Sequence, residues 1–389
     1  MAELRQNIWT LNQWYAQAVQ ADGSTDYSAY SQSYVWGGNN GSFGNGSGDG
    51  SDEPVQIPGN WKLTPHVAQE YNSSMEACAM IQGTNLYTWG QNQYGQVGKA
   101  PLNQNPTQSK QYIPGSWSQA AASQQFMGAI NTDGELWMWG LNENGQLGQN
   151  HRANRQEPFQ VGTDTTWQKI CVGYAQAVAT KTDGTLWAWG DGAQGAVGNN
   201  KAQKFSSPVQ IGTETDWSEA GLTIGRGACG AIKTDGTAWV WGANFGGQMG
   251  VGIPHNAGRS SPTQISGTWG YFDIGKYFGI GAQTNGGLYS WGTGGDGQLG
   301  QNQTGDKTWP TQIGTGTDWA TNYGACTAGS KHGGAVKTDG TLWVWGNNGD
   351  GRLGLGNNTA YSSPKQVGTD TTWYNVCASN NNTYAQQYF

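Results

Sequence analysis

Short runs of alternating large apolar residues recur along this chain, and each ends in Trp-Gly. The tryptophans concerned are Trp36, Trp89, Trp139, Trp189, Trp241, Trp291 and Trp345, spaced 50 to 54 residues apart. A fixed period of about fifty residues means one supersecondary unit repeated along the chain. The unit is clearest over residues 158–198. Pro158-Phe159-Gln160-Val161 opens it, Gly162-Thr163-Asp164-Thr165-Thr166 turns, and Trp167 starts a second segment ending near Gly173. A third segment, Ala177 to Thr182, runs into Asp183-Gly184, and Leu186-Trp187-Ala188-Trp189-Gly190 closes the unit. Asp-Gly between two apolar runs predicts a tight hairpin, because primed turns need positive φ at their central residues. The turn recurs at Asp133-Gly134, Asp235-Gly236 and Asp339-Gly340, with Asn285-Gly286 as a close substitute. The pattern predicts four short strands per unit.

The last strand of each unit is apolar on both faces, as in Leu342-Trp343-Val344-Trp345. A strand of that kind should be covered on both sides, as in a propeller, where every sheet packs between two neighbours. After each Trp-Gly from Trp89 onward stands a Gly-x-apolar-Gly element, such as Gly145-Gln146-Leu147-Gly148 and Gly297-Gln298-Leu299-Gly300. Its glycines permit close backbone approach, and its single apolar side chain can plug into the next blade.

The string Trp-Gly-x-Asn-x-x-Gly-Gln-Leu-Gly, followed by Pro-x-x-Val/Ile and closing on Asp-Gly-x-Leu-Trp-x-Trp-Gly, resembles the repeats of the regulator of chromosome condensation family. The resemblance covers roughly residues 33–389 and implies an all-β, seven-bladed propeller of four-stranded blades. One position departs from the family pattern. Its Gly-x-x-His is matched at Gly329-Ser330-Lys331-His332 alone, the other copies holding Met, Tyr, Ala or Gly around it.

Ring closure is also legible. After Trp373 the chain has room for two strands and lacks an Asp-Gly or Trp-Gly segment, while Tyr34-Val35-Trp36-Gly37 supplies the missing outer part at the other end. The two terminal segments are therefore expected to share a blade, which removes exposed sheet edges. Residues 30–389 form the propeller on this reading and residues 1–29 stand apart. Leu4, Ile8, Leu11 and Tyr15 recur at helical spacing, which predicts an N-terminal arm or helix. A competing register makes Trp14 the start of a blade strand, since it precedes Trp36 by the distance that separates Trp167 from Trp189.

Composition narrows the chemistry. Of the 389 residues 12% are charged, with net charge −7, so the surface must be mostly Asn, Gln, Ser, Thr and Gly. No apolar stretch approaches the ~20 residues of a membrane span, and the start lacks a secretory pattern, so neither membrane insertion nor export is expected. The five cysteines, Cys78, Cys171, Cys229, Cys326 and Cys377, are scattered and odd in number, and read as free structural thiols. His66, His151, His255 and His332 fall at unrelated repeat positions, and the Asp-Gly pairs recur for turn geometry, so no catalytic group, cofactor or metal site is predicted. The Gly-rich stretch Asn45 to Glu53 has the look of a calcium loop, but Gln56 stands where an EF-hand needs its bidentate Glu. It reads as a surface loop.

Alternating strand direction places the Gly-Thr-Asp-Thr and Asp-Gly turns on one face. That face gathers Asp133, Glu135, Asp164, Asp183, Glu214, Asp216, Asp235, Asp318, Asp339 and Asp370, relieved by Lys181, Lys233 and Lys337. The variable inter-blade loops fall on the other, carrying Lys99, Lys110, Arg152, Arg155, Lys201, Lys204, Arg259 and Lys307 with Phe205, Trp309 and Tyr361. Variable loops on a rigid scaffold are where recognition usually resides, so these residues, Lys307 aside, are the candidate partner-binding set. The expected partner is an anionic protein or glycan surface; the acidic balance and the absence of a basic tail speak against nucleic acid. Low charge and Gly/Asn/Gln/Thr/Trp richness look like phage tail or capsid-surface proteins. The primary expectation is thus a non-enzymatic virion component, made in the host cytoplasm, that contacts other virion proteins or a host receptor. The alternative is a cytoplasmic adaptor, inhibitor or exchange-factor-like propeller.

Overall fold

The computed structural model describes residues 31–38, 43–44, 49–63, 77–99 and 103–388. The arm or helix expected over residues 1–29, Trp14 and His66 lie outside them, as do residues 45–48 of the calcium-like loop.

Seven four-stranded antiparallel sheets follow one another around a ring. In blade 3 the innermost strand is Trp167–Val172, then come Gln176–Lys181 and Leu186–Gly190, and Phe205–Gln210 lies outermost. Blades 1, 2, 4, 5 and 6 repeat this order, and in blades 4 and 5 one continuous strand, Arg259–Ile274, serves first as an outer and then as an inner strand. Because Arg155–Gln160 pairs with Leu136–Gly140, the unit read from Pro158 straddles two blades. Its opening strand is the outer strand of the blade before. This stagger couples neighbours covalently, since every blade hands its outer strand directly to the next blade's inner one.

Blade 7 closes the ring as expected. Its order is Trp373–Ala378, Asn382–Tyr388, Ser31–Gly37 and Ser51–Ile57, with Val35 opposite Tyr384 and Trp36 opposite Thr383. The Trp-led place in that blade is held by Trp373.

All seven Trp-Gly indoles are fully buried. Six of them act as latches between blades: the indole nitrogen donates to the backbone carbonyl of the x residue in the preceding Gly-x-apolar-Gly segment. The bonds run from Trp139 to Gln96 at 2.8 Å, Trp189 to Gln146 at 2.9 Å, Trp241 to Ala196 at 3.1 Å, and Trp291 to Gln248 and Trp345 to Gln298 at 2.8 Å. The sixth, Trp36 to Arg352 at 2.9 Å, fastens the ring. A side chain at Gly148, where φ is +68°, would place its Cβ 2.9 Å from the Trp189 indole nitrogen. That is why the segment ends in glycine.

The Asp-Gly-Thr-x-Trp pattern is a second local device. Asp183 Oδ1 accepts from the Thr185 amide and hydroxyl, and the Thr185 hydroxyl accepts from the Trp187 indole at 2.8 Å. Asp235-Thr237-Trp239 and Asp339-Thr341-Trp343 repeat it. The threonine hydrogen bonds hold the Asp183 and Asp339 carboxyls below the usual range. These aspartates order turns, though not the primed type expected. Only the glycine has positive φ (+77° at Gly184), and the Gly184 amide donates to the Lys181 carbonyl, so the turn closes one residue earlier with Gly184 in the left-handed position.

Candidate partner-binding surface

The Asp-Gly and Gly-Thr-Asp-Thr turns do share a face. The Trp167 amide donates to the Gly134 carbonyl, and the same bond joins Trp217 to Gly184, Trp319 to Gly286 and Trp373 to Gly340. Three acids on this face are ion-paired: Asp164 with Lys181 at 2.5 Å, Asp216 with Lys233 at 3.1 Å and Asp318 with Lys337 at 2.9 Å. Burial alone would raise the Asp164 carboxyl, but hydrogen bonds from Lys181 and Thr166 outweigh it and hold it at about 2.

On the opposite face the sequence-predicted residues divide into a true surface set and a packed set. Arg155, Phe205, Arg259, Lys307 and Tyr361 are register-equivalent, each opposite the glycine of a Trp-Gly pair in blades 2 to 6. With exposed Lys204 next to Phe205, a cation stands on the rim of four consecutive blades. Arg152 and Lys201 extend this arc as exposed loop residues, as does Lys99 beside blade 1. Phe205 and Tyr361 do not belong to it, because both are half-buried and pack into the inter-blade cores. Lys110 lies within an outer strand, Asn103–Ile113, with its ammonium 4.9 Å over the Trp61 ring, and burial lowers its pKa. The Arg155 guanidinium stacks 4.4 Å from Phe159 and lies 3.1 Å from His151 Nε2. Trp309 is 55% exposed.

A second cluster, missed from the sequence, rings the mouth of the central channel on the same face. The short turns between innermost and second strands carry Arg226, Lys276 and Lys331 in blades 4, 5 and 6, one residue or two after equivalent glycines. Arg226 donates to the Tyr277 hydroxyl at 2.7 Å and packs on Phe245, while Lys276 lies 5.2 Å from the Tyr277 ring centroid. Lys276 is 5% exposed; burial lowers its pKa, with repulsion from Arg226 and Lys331 adding to the shift. The signal was present as Gly-Arg and Gly-Lys at repeat spacing, but it sits in two-residue turns rather than in the long loops. Three acids on this face lie beside a cation or histidine, Asp296 with Lys331 at 3.4 Å, Asp350 with Arg352, and Asp306 3.9 Å from His255, whereas Glu143 is exposed.

His332, the residue matching the family's His position, is buried within blade 6 and meets the Thr383 hydroxyl of blade 7 at 2.9 Å. At the same register the other blades hold Ala77, Phe126, Gln176, Ala228, Phe278 and Asn382, a correction to the residues read around it from sequence. All five cysteines are buried and none forms a disulfide, as expected for structural thiols, and burial pushes Cys171 up to about 12. Among the described residues no group of three His, Cys, Asp or Glu could hold a metal, and no helix is long and apolar enough to cross a membrane.

A family model for the RCC1-like domain matches residues 32–385, all seven blades. The chain belongs to the RCC1-like domain family. Among curated proteins, the mitochondrial RCC1 domain-containing protein RUG3 of Arabidopsis thaliana is 32% identical over 129 residues, 32% of this chain and 28% of that protein. Human E3 ubiquitin-protein ligase HERC2 is 27% identical over 35% of this chain and 3% of its own length. The aligned parts thus span under a third of these relatives. Of solved structures, human WBSCR16 superimposes with a TM-score of 0.77 at 16% identity, covering 92% of this chain and 99% of that one. Yeast Prp20p gives 0.77 at 18% identity and 93% coverage of both. At these identities the RCC1-like fold is what is shared.

Proposed function

We propose that this RCC1-like propeller is a non-enzymatic binding protein of the adaptor or exchange-factor type, and that it presses its loop face against an acidic surface of a partner protein. One observation carries the reading. In a chain of net charge −7, cations collect on one face, at the rim of blades 2 to 5 and at the channel mouth of blades 4 to 6. The acids of the other face are held in turns and ion pairs. A cationic patch on an acidic molecule steers a complementary partner and sets the docking orientation. Yeast Prp20p has binding properties toward Gsp1p and histones, and yeast RCC1 has been crystallised with Kap60; a protein partner is the class that carries over. The reading as a phage tail or capsid-surface component, located in a virion, rests on composition alone. The named relatives include a plant mitochondrial protein and a mammalian ligase, so the adaptor reading is the one taken forward.

The test is capture of a fluorescent octaglutamate peptide by the full chain. Replacing Arg152, Arg155, Lys201 and Lys204 together by Ser should weaken capture and flatten its salt dependence, because exposed charges are screened over about 10 Å at 0.1 M salt. Changing Asp164, Glu214 and Asp216 to Ser on the other face should leave capture nearly unchanged. The reverse outcome moves the docking surface to the Asp-Gly face.

A further inference from the structure

In blades 2, 3, 4 and 6 a tryptophan from the innermost side of the sheet meets a tryptophan of the third strand edge to face. The pairs are Trp117–Trp137 at 6.2 Å, Trp167–Trp187 at 6.0 Å, and Trp217–Trp239 and Trp319–Trp343 at 6.5 Å. In three of these four the chain seats its own ammonium group over both rings: Lys181 at 4.6 and 4.0 Å, Lys233 at 5.1 and 5.5 Å, Lys337 at 5.2 and 4.9 Å. Each lysine stands opposite the inner tryptophan and is anchored by the aspartate of the preceding turn. Paired indoles with an acid beside them are thus, in this molecule, a repeated ammonium seat.

Blade 2 keeps the indoles and lacks the lysine. The residue opposite Trp117 is Asn131, and the preceding turn is Pro114-Gly115-Ser116, with no acid. Asn131 turns its amide to Glu135 at 2.7 Å. Glu135 also replaces the threonine that accepts the indole N–H in the other three blades, and Trp137 Nε1 is buried with no hydrogen-bond partner among the described residues. The pair borders a cleft of about 480 Å³ on the outer wall between blades 1 and 2, lined also by Tyr112, Ser116, Glu157 and Lys99. Tyr112 is 42% exposed, so a third ring is presented to solvent. In blades 4 and 6 the lysine itself lines the matching cleft.

We propose that the blade 2 cleft is a site for an alkylammonium group, the lysine side chain of a partner protein, seated on Trp117 and Trp137 where the other blades seat their own lysine. Ring faces attract such a cation, and the Glu157 carboxylate in the lining, with Glu135 hydrogen-bonded to the lining Asn131, gives the complementary charge. Lys99 opposes it from the exposed edge. The cleft shares Lys99 with the loop-face arc but is built on Trp117 and Trp137, and the proposal stands whether or not that face binds an acidic partner.

The probe is butyltrimethylammonium at constant ionic strength, followed by the indole N–H resonances of the full chain, with the Trp137 signal identified by its loss in Trp137→Phe. Saturable movement of that signal is expected, with affinity about 3-fold or more above that of the uncharged isostere of the probe, within the range of a cation–π contact. Asn131→Lys should abolish the response, since it rebuilds from within the seat used in blades 3, 4 and 6, and it should fold as they do. Lys99→Ser should tighten binding about twofold by removing a like charge. Equal binding of the uncharged isostere, an unchanged response in Asn131→Lys, or no saturation in the parent chain would each overturn the proposal.

Discussion

His332 shows how one side chain ties chemistry to closure. Burial, with Arg352 nearby, lowers its pKa to about 3, while an unfolded chain protonates histidine near 6.5. Between those values the unfolded state binds the proton and the folded state does not, so stability is lost as pH falls from about 6.5 toward about 3. The slope reaches at most ~1.4 kcal/mol per pH unit. His332→Gln should flatten the dependence of the denaturation midpoint between about pH 6.5 and 5, a window above the ordinary carboxylate range. An equally steep midpoint in that variant would show that another group titrates. Trp189 is the companion case. Its indole is fully buried and latched to the Gly-x-apolar-Gly segment of the preceding blade through the Gln146 carbonyl, so Trp189→Ala should cost ~3–5 kcal/mol, the usual range for truncating a large buried aromatic. Urea denaturation measures it, and an unchanged midpoint would contradict the latch.

At the scale of the element, the decisive object is the strand Asn382–Tyr388, which pairs with Trp373–Ala378 on one side and Ser31–Gly37 on the other. Removing residues 383–389 takes away the hydrogen-bonding partner of both and exposes two strand edges. Aggregation, or loss of the cooperative unfolding transition in calorimetry, is the expected result; a monomer with an unchanged transition would mean that the ring stays shut without this strand. The inter-blade clefts belong to this scale too. Their shape follows from the repeat, whereas their occupancy by lysine is decided blade by blade.

Across the whole molecule the two faces differ in how their charges are used. Replacing Asp164 and Asp216 should lower the unfolding midpoint, by up to about 1 kcal/mol for each ion pair, because Lys181 and Lys233 would keep their place over indoles without a counter-ion. Replacing Arg152, Lys201 and Lys204 should leave the midpoint within about 0.5 kcal/mol, as for exposed residues outside special features. Opposite ranking of the two variants in thermal melts would mean that the loop-face cations, not the ion pairs, hold the disc together.

The repeat by itself determined the seven blades, the Asp-Gly turns, the separation of the turn face from the loop face, and closure by both terminal segments. These are consequences of local spacing, turn stereochemistry and strand direction, all of which act within one period of the chain. Only the tertiary structure decided which cations are surface and which are not. Lys110 and Phe205 look like loop-face residues in a linear reading, yet one lies in a strand over Trp61 and the other is packed between two cores. Arg226, Lys276 and Lys331 are fifty or more residues apart in sequence and converge at the channel mouth because the ring brings equivalent turns together. The missing lysine of blade 2 is a single Asn in the sequence. It acquires meaning only when the fold shows that the same position in three other blades holds an ammonium over paired indoles, since a side chain seated across neighbouring strands of one sheet leaves no mark on local periodicity.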